Sequence, residues 1–332
     1  MDDLEPLLTP ELFRLTVASH LNQSRDTPID FRKFIADIFT GEPGIDPAVL
    51  RAKTWPALCA LSQIPNCHDP TSIAIIAEAL SSPPFLPAPE DPEFPKLSLG
   101  LLLFLDQGPR SFCTQGADVR YTDGFFADIA LHVARRLLLL PESSGGLPTT
   151  QRPGEWPRWQ GQGVSADFFV LVRFMLGAVF VHHEHARDEA RAFTEETRVW
   201  VEQRFGVTDP HREEMDKTFS DVVAFPQMVQ AMIAGELPVK ASARGGGGEE
   251  EEQQPMGVAE GFFFLALLYD VHYPLVDKFG RYPYRNGALG RLHTPEEEKW
   301  LAEQTLFKEL PDDLRVKIRE DVEAGRWTPL SV

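Results

Sequence analysis

The sequence predicts an all-α protein assembled from antiparallel helix pairs. Three observations lead there. Helix-start signals recur in which a capping side chain stands directly before a proline, as in Thr9-Pro10, Asp46-Pro47, Asp69-Pro70 and Thr294-Pro295. Apolar residues fall at helical spacing, as with Leu99, Leu102 and Leu103. No long segment alternates with period two, and the apolar runs are poor in β-branched residues.

In chain order, helices are expected near 9–21, 28–39, 46–63, 70–80, 96–107, 118–139, 165–202, 208–235, 257–278, 294–304 and 311–323. Thr294 with Glu297 makes a capping box at the start of one of them. Six prolines in 81–95 make a rigid crossing after an amino-terminal helical part, 1–80. Pro141–Gln162 reads as a long surface loop, its Trp156 and Trp159 as anchors rather than a cleft cover. Ala241–Pro255 reads as a disordered insertion, because its four glycines and four glutamates carry high backbone entropy and like charges. Both breaks read as excursions within one domain spanning 1–332.

Charge and composition exclude several classes of partner. A net charge of −18 repels nucleic acid and anionic membrane, and neither is expected as a partner. The longest apolar runs fall well short of the roughly 20 residues a spanning helix needs. The acidic start Met1-Asp-Asp-Leu-Glu5 is not a secretory signal. Cys59, Cys67 and Cys113 share no metal-site spacing and cannot build a disulfide framework. A cytoplasmic protein is expected.

Chemistry-bearing residues gather on three helices. An apolar stripe runs on to Asp106 and Arg110, with Gln107 between them, while Gly108-Pro109 is expected to end that helix. A carboxylate continuing such a stripe needs a partner. It pairs locally with Arg110 or caps a backbone, or else holds an arginine or histidine in a cleft. In His182-His-Glu-His185, helical spacing turns His183 inward with Glu184 beside it. That histidine is a satisfied core group or an acid–base group titrating near neutrality. His272 interrupts another apolar stripe. Behind it, Phe279–Glu298 sets Arg281, Tyr284, Arg285, Asn286 and Arg291 among turn residues. Guanidinium groups held in fixed directions suit carboxylate or phosphate, although each could instead pair with an internal acid. Asp123, Asp128 and His132 carry a weaker signal, a possible Asp128–His132 pair.

These same residues carry a family resemblance. Leu103-Phe-Leu-Asp-Gln-Gly-Pro-Arg110 resembles the Asp-Gln-x-Pro-Arg-Asn motif of the domain-of-unknown-function 924 family, with Ser111 in place of Asn and Gly108 in place of an apolar or aromatic residue. Phe279–Glu297 is similar to that family's Phe-Gly-Arg-Phe-Pro-His-Arg-Asn-x-x-Leu-Gly-Arg segment, with Tyr284 where the family has histidine and His293 replacing a small residue. His272 matches a preceding family histidine. His182-His183-Glu184 is similar to a His-Ser-Glu motif, an alignment that favours His182 over His183. The resemblance spans about 28–305 and implies a right-handed tetratricopeptide-like array with a polar cleft, but no settled activity, cofactor or substrate.

The leading expectation is an enzyme acting on a small anionic molecule. Arg281, Arg285 and Arg291 would bind it, with Gln107, Arg110, His182, Tyr284 and Asn286 near, while His183 or His272 moves a proton and Asp106 and Glu184 orient them. Hydrolysis, elimination, isomerisation or cyclisation would suit, with no redox cofactor and no metal. No nucleotide-binding glycine motif or Gly-x-Ser-x-Gly element is present. The rivals are a helical module whose arginines clamp helix pairs or hold an acidic peptide, and a metal-dependent enzyme joining His182 or His183, Glu184 and His272 or His132.

Overall fold

Apolar faces at helical spacing must be buried against one another, and here helices alone do so. The computed structural model describes residues 2–40, 44–113, 118–212, 221–234, 255–307 and 309–331. Its helices are α1 Pro10–His20, α2 Phe31–Thr40, α3 Pro47–Ser62, α4 Pro70–Leu80, α5 Phe94–Phe112, α6 Ala127–Ala134, α7 Trp156–Gln160, α8 Ala166–Val181, α9 Arg187–Phe205, α10 Ala224–Ile233, α11 Val258–Asp270, α12 Tyr273–Phe279, α13 Pro295–Ala302 and α14 Asp312–Glu323. No strand occurs among the described residues.

The capping signals act as expected. Thr9 accepts from Leu12 N at 3.3 Å, Asp46 from Ala48 N at 2.8 Å and Asp69 from Thr71 N at 2.8 Å. Thr294 and Glu297 close a reciprocal capping box at the start of α13. Each satisfies amide donors that the first turn leaves without partners.

One buried core runs from Leu4 to Leu330, with α5 and α8 at its centre. Two contacts between segments far apart in sequence close it. α1 lies against α5 at Gly100, where an added Cβ would collide with the backbone of Phe13. α2 lies against α11 at Gly261, where an added Cβ would collide with the Phe31 side chain. Both glycines serve backbone proximity. No single helix among the described residues is long and apolar enough to cross a membrane.

Several expected elements are corrected. The helix expected over 165–202 is two helices, and α8 meets the following turn and α9 at 116°. His183 leaves the helix at φ −107°, ψ 121°, and its ring accepts from His185 N at 3.2 Å, in the way a short polar side chain caps a new turn. The span 257–278 breaks at Val271–His272, ahead of Pro274, whose missing amide suits a helix start. Of 208–235, α10 is the described helix, and 213–220 and 235 lie outside the described residues. α5 does not end at Gly108-Pro109 but continues to Phe112, the proline giving up one bond in its last turns. Pro141–Gln162 is not a bare surface loop. It contains α7, and Trp159 is 1% exposed with Nε1 donating to Pro153 O at 2.7 Å, so Trp159 does anchor it. The expected insertion 241–255 lies outside the described residues except at Pro255.

Gly100→Ala is expected to lower stability by about 1–3 kcal/mol through overpacking of α1 on α5. Gly108→Ala on the same helix, where an added Cβ meets nothing within 4 Å, is expected to be neutral or to stabilise by up to about 1 kcal/mol. Urea unfolding midpoints of the two variants check the contrast.

Candidate functional site

α5 carries Asp106 into the core at 3% exposure. Moving a carboxylate out of water costs several kcal/mol unless donors surround it, and three side chains do so. His182 Nδ1 lies 2.8 Å from Oδ2 and 3.1 Å from Oδ1. Gln107 Nε2 donates to Oδ2 at 2.6 Å and Arg110 Nε to Oδ1 at 3.4 Å. Burial alone would raise the Asp106 carboxyl, but His182, Arg110 and Gln107 together hold it well below the usual range. Asp106 is therefore ionised at neutral pH.

An ionised carboxylate only accepts, so His182 Nδ1 carries the proton donated to it. In the neutral ring Nε2 then presents a lone pair, and no described residue supplies it a partner. Burial, followed by the Arg110 charge, lowers the His182 pKa despite the pull of Asp106. The imidazole is a neutral, oriented base.

Arg110 extends the network by donating Nη1 to Asp123 Oδ1 at 2.9 Å. Asp123 sits in the wide helical turn Tyr121–Phe126, and its other oxygen lies 3.4 Å from Arg285 Nε. Burial would raise the Asp123 carboxyl, but Arg285 and Arg110 outweigh it and lower the pKa. Arg285 also donates to the backbone carbonyl of His182 and stacks its guanidinium 4.4 Å from the Tyr282 ring centre. Two aspartates thus balance two arginines. Within this balanced group, Arg110 Nη2 is buried without a hydrogen-bond partner among the described residues.

Two further groups border the network. His272 is 7% exposed, and Nδ1 lies 2.8 Å from Leu268 O, which fixes the proton there because a carbonyl only accepts. Burial first, then the fields of His182 and Arg285, push its pKa down to about 3. His272 is a neutral acceptor at pH 7. Tyr284 stacks on Phe307 with centroids 4.3 Å apart. Burial raises its pKa, partly countered by Arg285, so its phenol stays protonated where the family motif has histidine.

The remaining expected site residues are engaged elsewhere. His183 donates Nε2 to Asp128 Oδ1 at 2.8 Å while Nδ1 accepts from His185 N. Both nitrogens are occupied by these partners, so His183 lies outside the Asp106 hydrogen-bond network. The break after α8 turned it away. Asp128 in turn does not pair with the His132 ring, which meets the Asp128 backbone carbonyl at 2.9 Å. Glu184 accepts both nitrogens of Arg291 at 2.7 and 2.9 Å and the amide of Tyr282 at 2.9 Å. Arg281 grips Glu297 at 2.7 and 2.8 Å. Asn286, fully buried, donates to Glu297 at 3.2 Å and to His293 at 3.0 Å. The three arginines therefore do not form an open cationic corner. Arg281 and Arg291 are clamps that hold the loop. Glu184 and His183, so engaged, do not come together as ligands, and no group of three His, Cys, Asp or Glu among the described residues could hold a metal ion.

The site is thus an ionised, buried aspartate orienting one histidine on an all-helical frame, flanked by paired arginines. A family model described as a bacterial protein of unknown function (DUF924) matches residues 87–305, more than half of the chain. The chain belongs to that family, and the match contains Asp106, Arg110, Asp123, His182, His272 and Arg285. It begins well after residue 28, where the resemblance was expected to start. No curated protein and no solved structure matches the chain.

Burial and the Arg281 and Thr294 contacts act oppositely on Glu297, and the contacts win, lowering its pKa to about 2. A folded-state value below the unfolded one stabilises above pH 4.5, and this contribution is lost as pH falls toward 2. Glu297→Gln is expected to cost roughly 1–3 kcal/mol at pH 7, with the gap from wild type shrinking at pH 3. Denaturant unfolding at the two pH values measures it.

Proposed function

We propose that the protein is a cytoplasmic enzyme acting by acid–base chemistry on a small molecule bearing a carboxylate or phosphate, with His182 as the base. The observation that carries this reading is the Asp106–His182 pair, in which a buried carboxylate holds Nδ1–H and leaves Nε2 as a lone pair. Buried carboxylates fix the tautomer and orientation of catalytic imidazoles in this way. Arg110 is the anchor, since its unpartnered Nη2 can donate to a substrate oxygen. The anchoring role expected of Arg281 and Arg291 passes to this one nitrogen, because their own charges are spent on Glu297 and Glu184. Arg285 is a positioning residue that ties Asp123 to the backbone of His182. Tyr284 supplies a protonated phenol nearby, and His272 supplies a neutral acceptor.

A reaction in which His182 removes a proton and a group of higher pKa returns one fits this set, as in elimination, isomerisation or activation of water. The balanced charges of Asp106, Asp123, Arg110 and Arg285 favour a substrate of at most modest charge.

Screening small carboxylates and phosphate esters for turnover tests the proposal. His182→Gln is expected to lower kcat by at least about 100-fold, whereas Arg281→Lys should leave kcat within a few-fold. With His182 acting as base, kcat/KM should rise with pH through a value below the ordinary histidine pKa of 6.5. Turnover that is indifferent to His182→Gln would refute the assignment.

A further inference from the structure

A cavity of about 400 Å³ opens between α1, α2, α3 and α5. Its walls come partly from residues before position 87, where the family match begins, and partly from Gln107, Ser111, Phe112 and Met175 within it. Phe34, Leu50, Phe112 and Met175 give it an apolar body, and Ile38, 38% exposed, stands at its surface.

The polar atoms on its walls share one character. His20 Nδ1 lies 2.9 Å from Thr16 O, which only accepts, so that nitrogen carries the proton and the neutral ring offers Nε2 as an acceptor. Burial lowers the His20 pKa and keeps the ring neutral. Gln107 spends its amide N–H on Asp106, leaving Oε1 without a partner among the described residues. Gln23 donates to Asn22 Oδ1 at 2.7 Å, and its Oε1 is buried with no hydrogen-bond partner. Ser19 and Ser111 spend their hydroxyl protons on the carbonyls of Thr16 and Gln107, at 2.8 and 3.1 Å. Asp37 adds a carboxylate whose partner, Lys33, is 72% exposed, the kind of surface pair that is worth little. No lysine or arginine is among the described lining residues.

Acceptors and a carboxylate around an apolar body call for a ligand that brings donors and positive charge on an apolar frame. We propose that this cavity is a binding site for a small organic amine, its ammonium directed to Asp37, His20 and Gln23 and its apolar portion packed on Phe34 and Met175. Such a ligand supplies the hydrogen that the buried Gln23 oxygen lacks. The protein's net charge of −18 also raises the local concentration of cations. Proton transfer at His182 is a separate matter, because the amine is held by Asp37, His20 and Gln23 and the readout is binding without turnover; Gln107, which lines the cavity and also holds Asp106, is left unaltered in the test.

Isothermal titration calorimetry with 2-phenylethylamine, 2-phenylethanol and 3-phenylpropanoate as matched probes tests it. The amine is expected to bind with Kd below about 1 mM, the alcohol at least tenfold more weakly, and the carboxylate not at all. Asp37→Asn should weaken the amine about tenfold, and Ile38→Trp, at a partly exposed position that leaves the core intact, should block the cavity and abolish binding. Equal or tighter binding of the carboxylate, no amine binding at 1 mM order concentrations, or amine binding unchanged in both variants would overturn the proposal.

Discussion

The Asp106 carboxylate lies out of water toward the carboxyl-terminal end of the buried face of α5, and neighbouring polar groups are arranged around that charge. Left alone it would cost several kcal/mol. His182, Gln107 and Arg110 offset this, and each compensation has a structural consequence. The bond from His182 pins the end of α8 to α5. The reach of Arg110 to Asp123 pins the wide turn 121–126 to the same point, and Arg285 carries the chain of charges into the loop beyond α12. One buried charge thus links four segments that are distant in sequence.

The geometry of this centre depends on rigidity supplied from outside it. Glu184–Arg291 and Glu297–Arg281 are two bidentate pairs at either side of the 280–291 loop, with Asn286 buried between them. Gly280 and Gly290, at φ +70° and +69°, let the loop turn tightly enough for both clamps to close. Arg285 and Tyr284 are consequently held against the site by residues that do not themselves face it. Such outer contacts fix the geometry that the proposed proton transfer at His182 would require.

Much of the frame was legible in the sequence because it rests on local chemistry. The four cap–proline signals each marked a real helix start, and the motif residues Asp106, Arg110, His182 and Arg285 do converge. What escaped has physical reasons. No glycine or proline marks the break at His182–Ala186, so extending a continuous helix across it turned His183 inward in place of His182. Spacing leaves open whether each arginine meets a ligand or an internal acid, and the partner that decides it for Arg291, Glu184, lies about a hundred residues away. Asp123 had no motif to single it out. His20 was missed as well, since one histidine on an amphipathic helix looks like any other until a cavity is seen beside it.

Asp106 fixes His182 as a neutral ring with the proton on Nδ1. Long-range ¹H–¹⁵N NMR of the histidine side chains at neutral pH tests this directly. The His182 ring should show a protonated Nδ1 and an unprotonated Nε2, and Asp106→Asn should disturb that pattern while leaving the His183 ring, which answers to Asp128, unchanged. A His182 ring protonated on Nε2 at pH 7, or one indifferent to the loss of the Asp106 charge, would contradict it.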